Sequence, residues 1–398
     1  MSKQIQDAYI VAATRLPVAR RSGMFKHVRP DDMLAHAIRS VLGQVPGLDP
    51  ACIGDVIVGC AMPEAEQGMN VARIGLLLAG LPNTVPGMTI NRFCSSGVQA
   101  VADAANQIRL GNADVMIAAG TESMTVMPQM MGNKVAINPS VFDNEHVAIA
   151  YGMGLTAENV ANQWQITREQ QDAFAVESHR RATAAIAAGY FKAEISPYTI
   201  REQLPDISDG EIKVRERTVD TDEGPRADSS VEKLGKLRPV FHTKGSVTAG
   251  NSSQMSDGAA AVLLMSEKAL KEHGLTPIAR FASYAVGGVA PEIMGIGPIA
   301  AIPKALQLAD IRQDDLDWIE LNEAFAAQAL AVTRELGLDP AKINPQGGAI
   351  ALGHPLGATG AIRTATVVHG LRRTGGKYGM VTMCIGTGMG AAGVFERV

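Results

Sequence analysis

Cysteine is scarce. Cys52, Cys60, Cys94 and Cys384 are all that a chain of 398 residues carries, too few for a disulfide framework and suited to a reducing compartment. None is paired as Cys-x-x-Cys, which argues against a structural zinc site. Runs of one charge are absent too. Lys and Arg number 36 against 40 Asp and Glu, for a net charge of −4, and no basic stretch forms a nucleic-acid footprint. No apolar run approaches the roughly 20 residues of a membrane span. No charged-then-apolar segment precedes the first strand-like stretch, Ala8–Ala13, which leaves no room for a signal or transit peptide. The final Glu-Arg-Val is not a peroxisomal address of the Ser-Lys-Leu type. A cytoplasmic location is expected. The chain also lacks a Walker loop, a metal-ligand pair and a G-x-S-x-G elbow.

What is present is apolar substance. Hydrophobic residues make up 46% and the mean hydropathy is +0.06, enough for large cores and more than one domain's worth of chain. Up to residue 120, strand-like runs (Tyr9–Ala13, Asp55–Gly59, Met88–Asn91, Asp114–Ala119) alternate with helical patterns (Asp31–Leu42, Asn70–Ala79, Ser96–Leu110). Such alternation predicts a sheet layered between helices. From about 121 to 250 the character changes. Methionines crowd Met124–Met131, and two helices, Thr156–Gln165 and Thr167–Ala188, follow. The second opens with the capping box Thr167-x-x-Gln170. Arg201–Arg238 then reads as a charged, turn-rich surface excursion. From about 275 the alternation returns: helix Pro298–Leu308, strand Trp318–Leu321, helix Glu323–Leu336, helix Ala361–Arg372 and strand Gly379–Met383. In each half a turn ending in Gly (Cys94-Ser-Ser-Gly97; Gly357-Ala-Thr-Gly360) leads into a helix, then an apolar strand and a Gly-rich turn. A duplicated α/β unit with an insertion in its first copy is inferred.

Four places could carry chemistry. Cys94 precedes a helix whose face is marked by Val98, Val101, Ala105 and Ile108 and which Gly111 stops. At a helix N-terminus the unpaired N–H groups favour a thiolate; a buried structural cysteine would fit the same pattern. His354, in Gly353-His354-Pro355, is held extended by the proline and could act as a general base near neutrality; a surface turn histidine is the competing reading. His27, His36, His146, His179, His242, His273 and His369 lack comparable context and read as structural or solvated. Cys384 stands at a strand end before a glycine-rich turn, and Asn322 at a strand–helix junction, where open α/β sheets build their sites. Gly388-Met-Gly390-Ala-Ala-Gly393 matches G-x-G-x-x-G, but no helix and second strand can follow it, so no dinucleotide site is expected there.

Together these stretches resemble the thiolase family over essentially the whole chain. Asn91-Arg-Phe-Cys94-Ser-Ser-Gly97 resembles its nucleophile motif and Asn322-Glu-Ala-Phe325 its Asn-Glu-Ala-Phe motif. Gly353-His354-Pro355 and Cys384-Ile-Gly386 resemble its other two signatures. Gly120-Thr-Glu-Ser-Met124 and Thr248-Ala-Gly-Asn-Ser-Ser253 match further segments. The resemblance implies an α/β fold with a thiolase-like five-layer αβαβα core of two duplicated halves. Residues 1–120 and 251–274 would form the first half, 121–250 an inserted loop domain and 275–398 the second half.

The implied activity is cleavage of a 3-oxoacyl-CoA by CoA to acetyl-CoA and a shortened acyl-CoA, or its reverse. CoA is a substrate, and neither metal nor redox cofactor takes part. Cys94 would be the nucleophile, His354 its base and Cys384 the second proton carrier. His354 with a water held by Asn322, and the N–H groups of Cys94 and Gly386, would form oxyanion holes. Ser253, Ala249, Phe241 and Phe325 match the pantetheine channel, and Arg226 the segment that meets the nucleotide end of CoA. Implied partners are CoA and acyl-CoA thioesters, a homodimer or homotetramer, and a β-oxidation multienzyme assembly. The acetoacetyl-specific biosynthetic branch carries His-Met before Gly in the loop domain. Tyr151-Gly152-Met153-Gly154 has glycine in place of that histidine, which favours a β-oxidation enzyme acting on longer chains, with the biosynthetic acetyltransferase as the alternative. A decarboxylating ketoacyl synthase would lack Cys384, and an idle scaffold would be expected to lose Cys94 or His354.

Overall fold

Amphipathic helices and short apolar strands stack here into a layered α/β fold. The computed structural model describes residues 5–126, 138–143, 152–205, 208 and 210–398. The first half runs β1 (Ala8–Arg15), β2 (Ala19–Arg20), α1 (Pro30–Gly43), β3 (Val56–Gly59), α2 (Val71–Leu78), β4 (Gly87–Ile90), α3 (Ser96–Arg109) and β5 (Val115–Ser123). Their starts follow local chemistry. Pro30 opens α1 with Asp31 and Asp32 in its first turn, where acidic groups suit the helix dipole. Asn70 caps α2 by accepting from the Arg73 N–H at 3.3 Å. The insertion contributes α4 (Met153–Gln163), α5 (Arg168–Ala187) and the hairpin β6 (Tyr198–Pro205) and β7 (Ile212–Val219). The Thr167/Gln170 capping box is formed as expected. Then come β8 (Ser256–Ser266), β9 (Ala279–Gly288), α6 (Gly297–Ala309), β10 (Leu316–Leu321), α7 (Ala326–Leu336), α8 (Leu356–Thr374), β11 (Tyr378–Ile385) and β12 (Met389–Glu396). Of the sequence features named above, Met127, Met130, Met131, His146, Tyr151 and Asp209 lie outside the described residues.

The duplication is visible in the pairing. The first half orders its strands β4-β3-β5-β8-β1 and the second β10-β11-β12-β9. β3/β5 and β10/β11 are parallel; β5/β8, β8/β1, β11/β12 and β12/β9 are antiparallel. The parallel bridge Ile319↔Ile343 stands where β4 stands in the first half. The sheets join where β1 meets β9 at Tyr9↔Arg280 and Ile10↔Ala279. Helices α3 and α8 lie between the sheets, α1 and α2 cover the outer face of the first, and α6 and α7 the outer face of the second.

Several expectations are corrected. β8, β9 and β12 are strands that the sequence did not announce. β8 is buried along its whole length, so its Ala- and Leu-rich run shows no alternation. The Gly388–Gly393 stretch leads into antiparallel β12, where a Cβ on Gly390 would lie 2.0 Å from the Gly297 carbonyl carbon; its glycines admit a neighbouring backbone. Arg201–Arg238 is more ordered than a surface excursion. It contains β7 and the end of β6, exposed strands bearing the Arg201–Glu216 pair at 3.6 Å, and it also supplies buried Asp222. Arg15 donates to Asp222 at 2.7 and 2.9 Å and to Glu194 at 2.6 Å, all of them buried, and so fastens the insertion to β1. α7 begins at Ala326, not Glu323, and α8 at Leu356, ahead of Ala361.

Candidate active site

The turn after β4 is bent by Phe93, whose φ is +45°, a region that non-glycine residues enter only when neighbours enforce it. Asn91 does so: its side chain accepts from the Phe93 N–H at 2.8 Å and donates to the Ala61 carbonyl at 3.0 Å. Phe93–Ser95 forms a single 3-10 turn, and α3 starts at Ser96. Cys94 therefore stands just before the helix, half-buried. The N–H groups of Gly386 and of Cys94 itself face its sulfur. Burial is nevertheless the larger effect and pushes the thiol up to about 11, with the Glu122 charge adding to the rise. With burial outweighing the helix N-terminus, Cys94 rests as a thiol and its attack needs a base.

His354 follows Gly353, whose φ is +94°. Far from being a surface turn, it is 4% exposed. Its N–H donates to the Ser256 hydroxyl at 3.1 Å. Nδ1 lies 2.7 Å from Thr359 Oγ1, and Nε2 lies 3.4 Å from Asn322 Nδ2. Since an amide nitrogen can only donate, Nε2 holds the lone pair and Nδ1–H donates to Thr359. Burial, helped by the Arg363 charge, holds the imidazole down to about 3, so it is neutral and able to accept a proton.

Asn322 is fixed by its N–H to the Thr382 carbonyl at 2.9 Å on β11. Its Oδ1 is buried without a donor among the described residues. The next residue explains the late start of α7. Glu323 is buried and accepts from Ser178 Oγ (2.7 Å), Asn344 Nδ2 (2.9 Å) and Ile350 N (3.2 Å), holding Asn322–Phe325 as a loop. Cys384, near the end of β11, is buried among Ala157, Val247, Met294, Ala324 and Phe325. Burial, and Cys94 beside it, drive its thiol far above the usual cysteine range. The turn beyond it uses Thr387 and Gly388 at φ +68° and +88°.

The approach of the two halves rests on glycine. A Cβ on Gly97 would lie 2.5 Å from the Ala361 nitrogen, and one on Gly360 2.1 Å from the Val98 nitrogen. The first turns of α3 and α8 thus meet backbone to backbone, each just after Cys94 or His354. Cys94, Cys384 and Gly386 are brought together, and so are His354 and Asn322. Met153 and Phe93 flank Gly386, at 3.7 and 3.9 Å from where its Cβ would be. Phe241 sets its ring edge-on to Phe325, centroids 6.2 Å apart. The Ser253 N–H donates to the Ala324 carbonyl at 2.9 Å. Ala249 and Arg226 share a cavity of about 180 Å³, and Arg226 also lines a neighbouring one of about 470 Å³.

Three groups here escaped the sequence reading. His179 lines both of those cavities and accepts from the Arg226 N–H at 3.1 Å; burial and the Arg226 charge hold it down to about 4. Thr359 and Glu122 touch the His354 turn. Thr359 sits early in α8, five residues past the histidine, and Glu122 lies inside the quoted Gly120–Met124 segment, but neither spacing announces a partner. A separate cavity of about 330 Å³ between α5 and α7 contains none of the cysteines or His354. Among the described residues no cluster of His, Cys, Asp and Glu is suited to a metal, and no helix is long and apolar enough to cross a membrane.

The family model described as the thiolase N-terminal domain matches residues 8–268, and that of the thiolase C-terminal domain residues 275–397. A 3-ketoacyl-CoA thiolase of Bacillus subtilis is 49% identical over 395 residues, covering 98% of this chain and 100% of the relative. A beta-ketoadipyl-CoA thiolase of Pseudomonas aeruginosa is 44% identical over 409 residues, covering 99% and 100%. The crystal structure of the Bacillus anthracis acetyl-CoA acetyltransferase superposes with a TM-score of 0.90 at 41% identity, covering 100% of both chains.

Proposed function

The chain belongs to the thiolase family and is an acyltransferase, and on that premise we propose that it is a 3-ketoacyl-CoA thiolase of fatty acid β-oxidation. The observation that carries the reading is the placement of Cys384 beside Cys94, with the Gly386 N–H on the Cys94 sulfur and a buried histidine, His354, held against Asn322. His354 Nε2 takes the Cys94 proton, and the thiolate attacks the 3-oxo carbon. Collapse of the adduct breaks the bond between C2 and C3, leaving an acyl group on Cys94 and an acetyl-CoA carbanion. Cys384 protonates that carbanion. A thiol held at high pKa is well matched to a weakly acidic thioester α-carbon. CoA then gives its thiol proton to the Cys384 thiolate and attacks the acyl-Cys94 thioester; the shortened acyl-CoA is released as the C–S bond to Cys94 breaks, and the departing Cys94 thiolate takes its proton back from His354.

Charge that develops on oxygen needs donors already in place. The N–H groups of Cys94 and Gly386 serve one oxyanion; His354 with a water on Asn322 serves the other. Ser253, Ala249, Phe241 and Phe325 line the pantetheine arm, and Arg226 beside His179 receives the nucleotide end. CoA is a substrate, and no metal or redox cofactor is required. The enzyme acts in the cytoplasm as a homo-oligomer, with residues 121–250 as its loop domain.

The long-chain preference is supported by Gly152, around which a Cβ would meet nothing within 4 Å among the described residues. The biosynthetic alternative keeps one point in its favour, Met153 beside Gly386. Thiolysis of acetoacetyl-CoA, a medium-chain 3-oxoacyl-CoA and 3-oxoadipyl-CoA, run side by side, tests the reading. Each buried methylene contributes up to about 0.8 kcal/mol, so kcat/KM for the medium chain should at least equal that for acetoacetyl-CoA. Gly152→His should penalise the long substrate far more than the short one. Cleavage of acetoacetyl-CoA alone would replace this assignment with the biosynthetic one, and a preference for the dicarboxylic substrate would move it to 3-oxoadipyl-CoA thiolysis.

A further inference from the structure

We propose that Glu122 is a positioning residue for the Cys94–His354 pair, its carboxylate holding the start of α8 to the first half of the molecule. The proposal rests on the thiolase reading of those two residues. Glu122 ends its run on β5 fully buried. Its Oε2 accepts from the N–H of Ala61 and of Gly357, both at 2.8 Å. Its Oε1 accepts from the Met62 N–H at 3.3 Å, from Gln67 Nε2, and weakly from the Cys60 thiol at 3.9 Å.

Gly357 is the second residue of α8 and three past His354. The helix's own cap position is Pro355, which offers no side-chain acceptor. A helix start with unpaired N–H groups needs one, and a carboxylate there is favoured by the dipole. Glu122 supplies it from the other half of the duplicated fold. The helix can come this close because position 357 is glycine: a Cβ would lie 2.5 Å from the Ala61 nitrogen. One oxygen therefore pins the loop after β3, the end of β5 and the His354 turn together. Every partner is a donor, so the cradle fits the ionised form. That charge is also felt at the Cys94 thiol. The other titratable group against this carboxylate is Cys60.

Two variants of the full chain separate charge from reach. Glu122→Gln keeps the length and removes the charge. Glu122→Asp keeps the charge, but is one methylene too short for an oxygen to hold both Ala61 and Gly357. Three quantities are measured: kcat and KM for thiolysis, the pH profile of Cys94 alkylation by iodoacetamide followed by mass spectrometry, and the thermal midpoint. Misplacement of catalytic groups by about 1 Å costs about 10²-fold, so both variants should lose roughly ten- to a hundredfold in kcat, with KM for CoA held. The alkylation rise should move to lower pH in Glu122→Gln and stay in place in Glu122→Asp. Wild-type kcat in either variant, or an unmoved alkylation profile in Glu122→Gln, overturns the proposal. So does loss of the fold in both, since a group needed for folding at large does not act through one turn. Alkylation needs no substrate, so a wild-type chain inactive in thiolysis would sink the functional reading separately.

Discussion

In the proposed mechanism one hydroxyl decides which nitrogen of His354 acts as the base. Thr359 Oγ1 can accept from Nδ1–H while Nε2 is a base, and can donate to Nδ1 while Nε2–H faces an oxyanion, so a single neighbour suits both halves of the reaction. A hydrogen bond of this kind is worth about 1 kcal/mol. Thr359→Val should therefore lower kcat about five- to tenfold, and Thr359→Ser should restore most of it; equal losses in both would deny the hydroxyl its role. The resting protonation states have their own consequence. With His354 held down to about 3 and Cys94 up to about 11, neither group titrates between pH 5 and 9. Lowering the pH through 6.5 leaves His354 neutral, because its folded value lies below the ordinary one. Raising the pH increases the Cys94 thiolate about tenfold per unit until about pH 11. Iodoacetamide inactivation should follow that slope from pH 7 to 10; a plateau near pH 8 would mean a thiolate–imidazolium pair instead. Cys384→Ser should keep acyl exchange between Cys94 and CoA, which needs no carbanion, yet lose thiolysis by about 10²–10⁴-fold, the usual weight of general acid–base catalysis. A parallel fall in both rates would remove Cys384 from the protonation step.

At the scale of elements, the crossing of α3 and α8 fixes the distance between the two halves of the chemistry. The atoms facing Gly97 and Gly360 are backbone, which cannot rotate out of the way. Overpacking typically costs about 1–3 kcal/mol, so Gly360→Ala should lower the unfolding free energy by at least that much and reduce activity with it. Gly43→Ala, at the end of α1 with nothing within 4 Å of its added Cβ, is the control and should be neutral or slightly stabilising. Denaturant midpoints compare the two; equal shifts would mean that the crossing tolerates a side chain. The same contrast between local and distant causes decides what could be read from the chain. α1, α2, α3, β1, β3, β4 and β5 carry their own periodicity, caps and glycine stops, and were legible. β8 and β12 are covered on both faces or built from small residues, so they have no polar side to alternate with. The start of α7 was misplaced because Glu323 is claimed by Ser178, Asn344 and Ile350, none of them near it in sequence. Cys94, His354, Cys384 and Asn322 stood out because each lies at the end of an element, three of them among glycines. Glu122 and Thr359 did not, because what makes them matter is a partner, and the partners of Glu122 come from 55 to 235 positions away.

For the whole molecule, duplication puts Cys94 on one copy and His354, Cys384 and Asn322 on the other, so the proposed site exists only while the copies stay clasped. The α3–α8 crossing holds them from within, and the Thr366 hydroxyl on α8 donates to Glu194 at 3.0 Å, tying the second copy to the Arg15–Glu194–Asp222 cluster. The outside of the first copy is less complete. Among the described residues β4 is the last strand of its sheet, with one edge unpaired, and Met88 on it is 43% exposed. Ile74, Leu77 and Leu78 on the neighbouring α2, and Met69 just before it, are also exposed. An uncovered strand edge beside an apolar row invites pairing with another chain, and a second copy of the same edge would meet it across a two-fold axis with identical residues on both sides. The homo-oligomer proposed above is expected to form there. Leu77→Glu places a charge in the middle of the row and, across a two-fold axis, brings like charges toward each other. The wild-type chain should sediment as a dimer or larger at micromolar concentration, and Leu77→Glu should shift it to the monomer while leaving the far-UV circular dichroism unchanged. Because β4 feeds directly into the Asn91–Cys94 turn, loss of the partner should also lower thiolysis. A Leu77→Glu chain that still sediments with the wild type would place the interface elsewhere, and a monomeric variant with full activity would show that the turn at Cys94 keeps its shape without a neighbour.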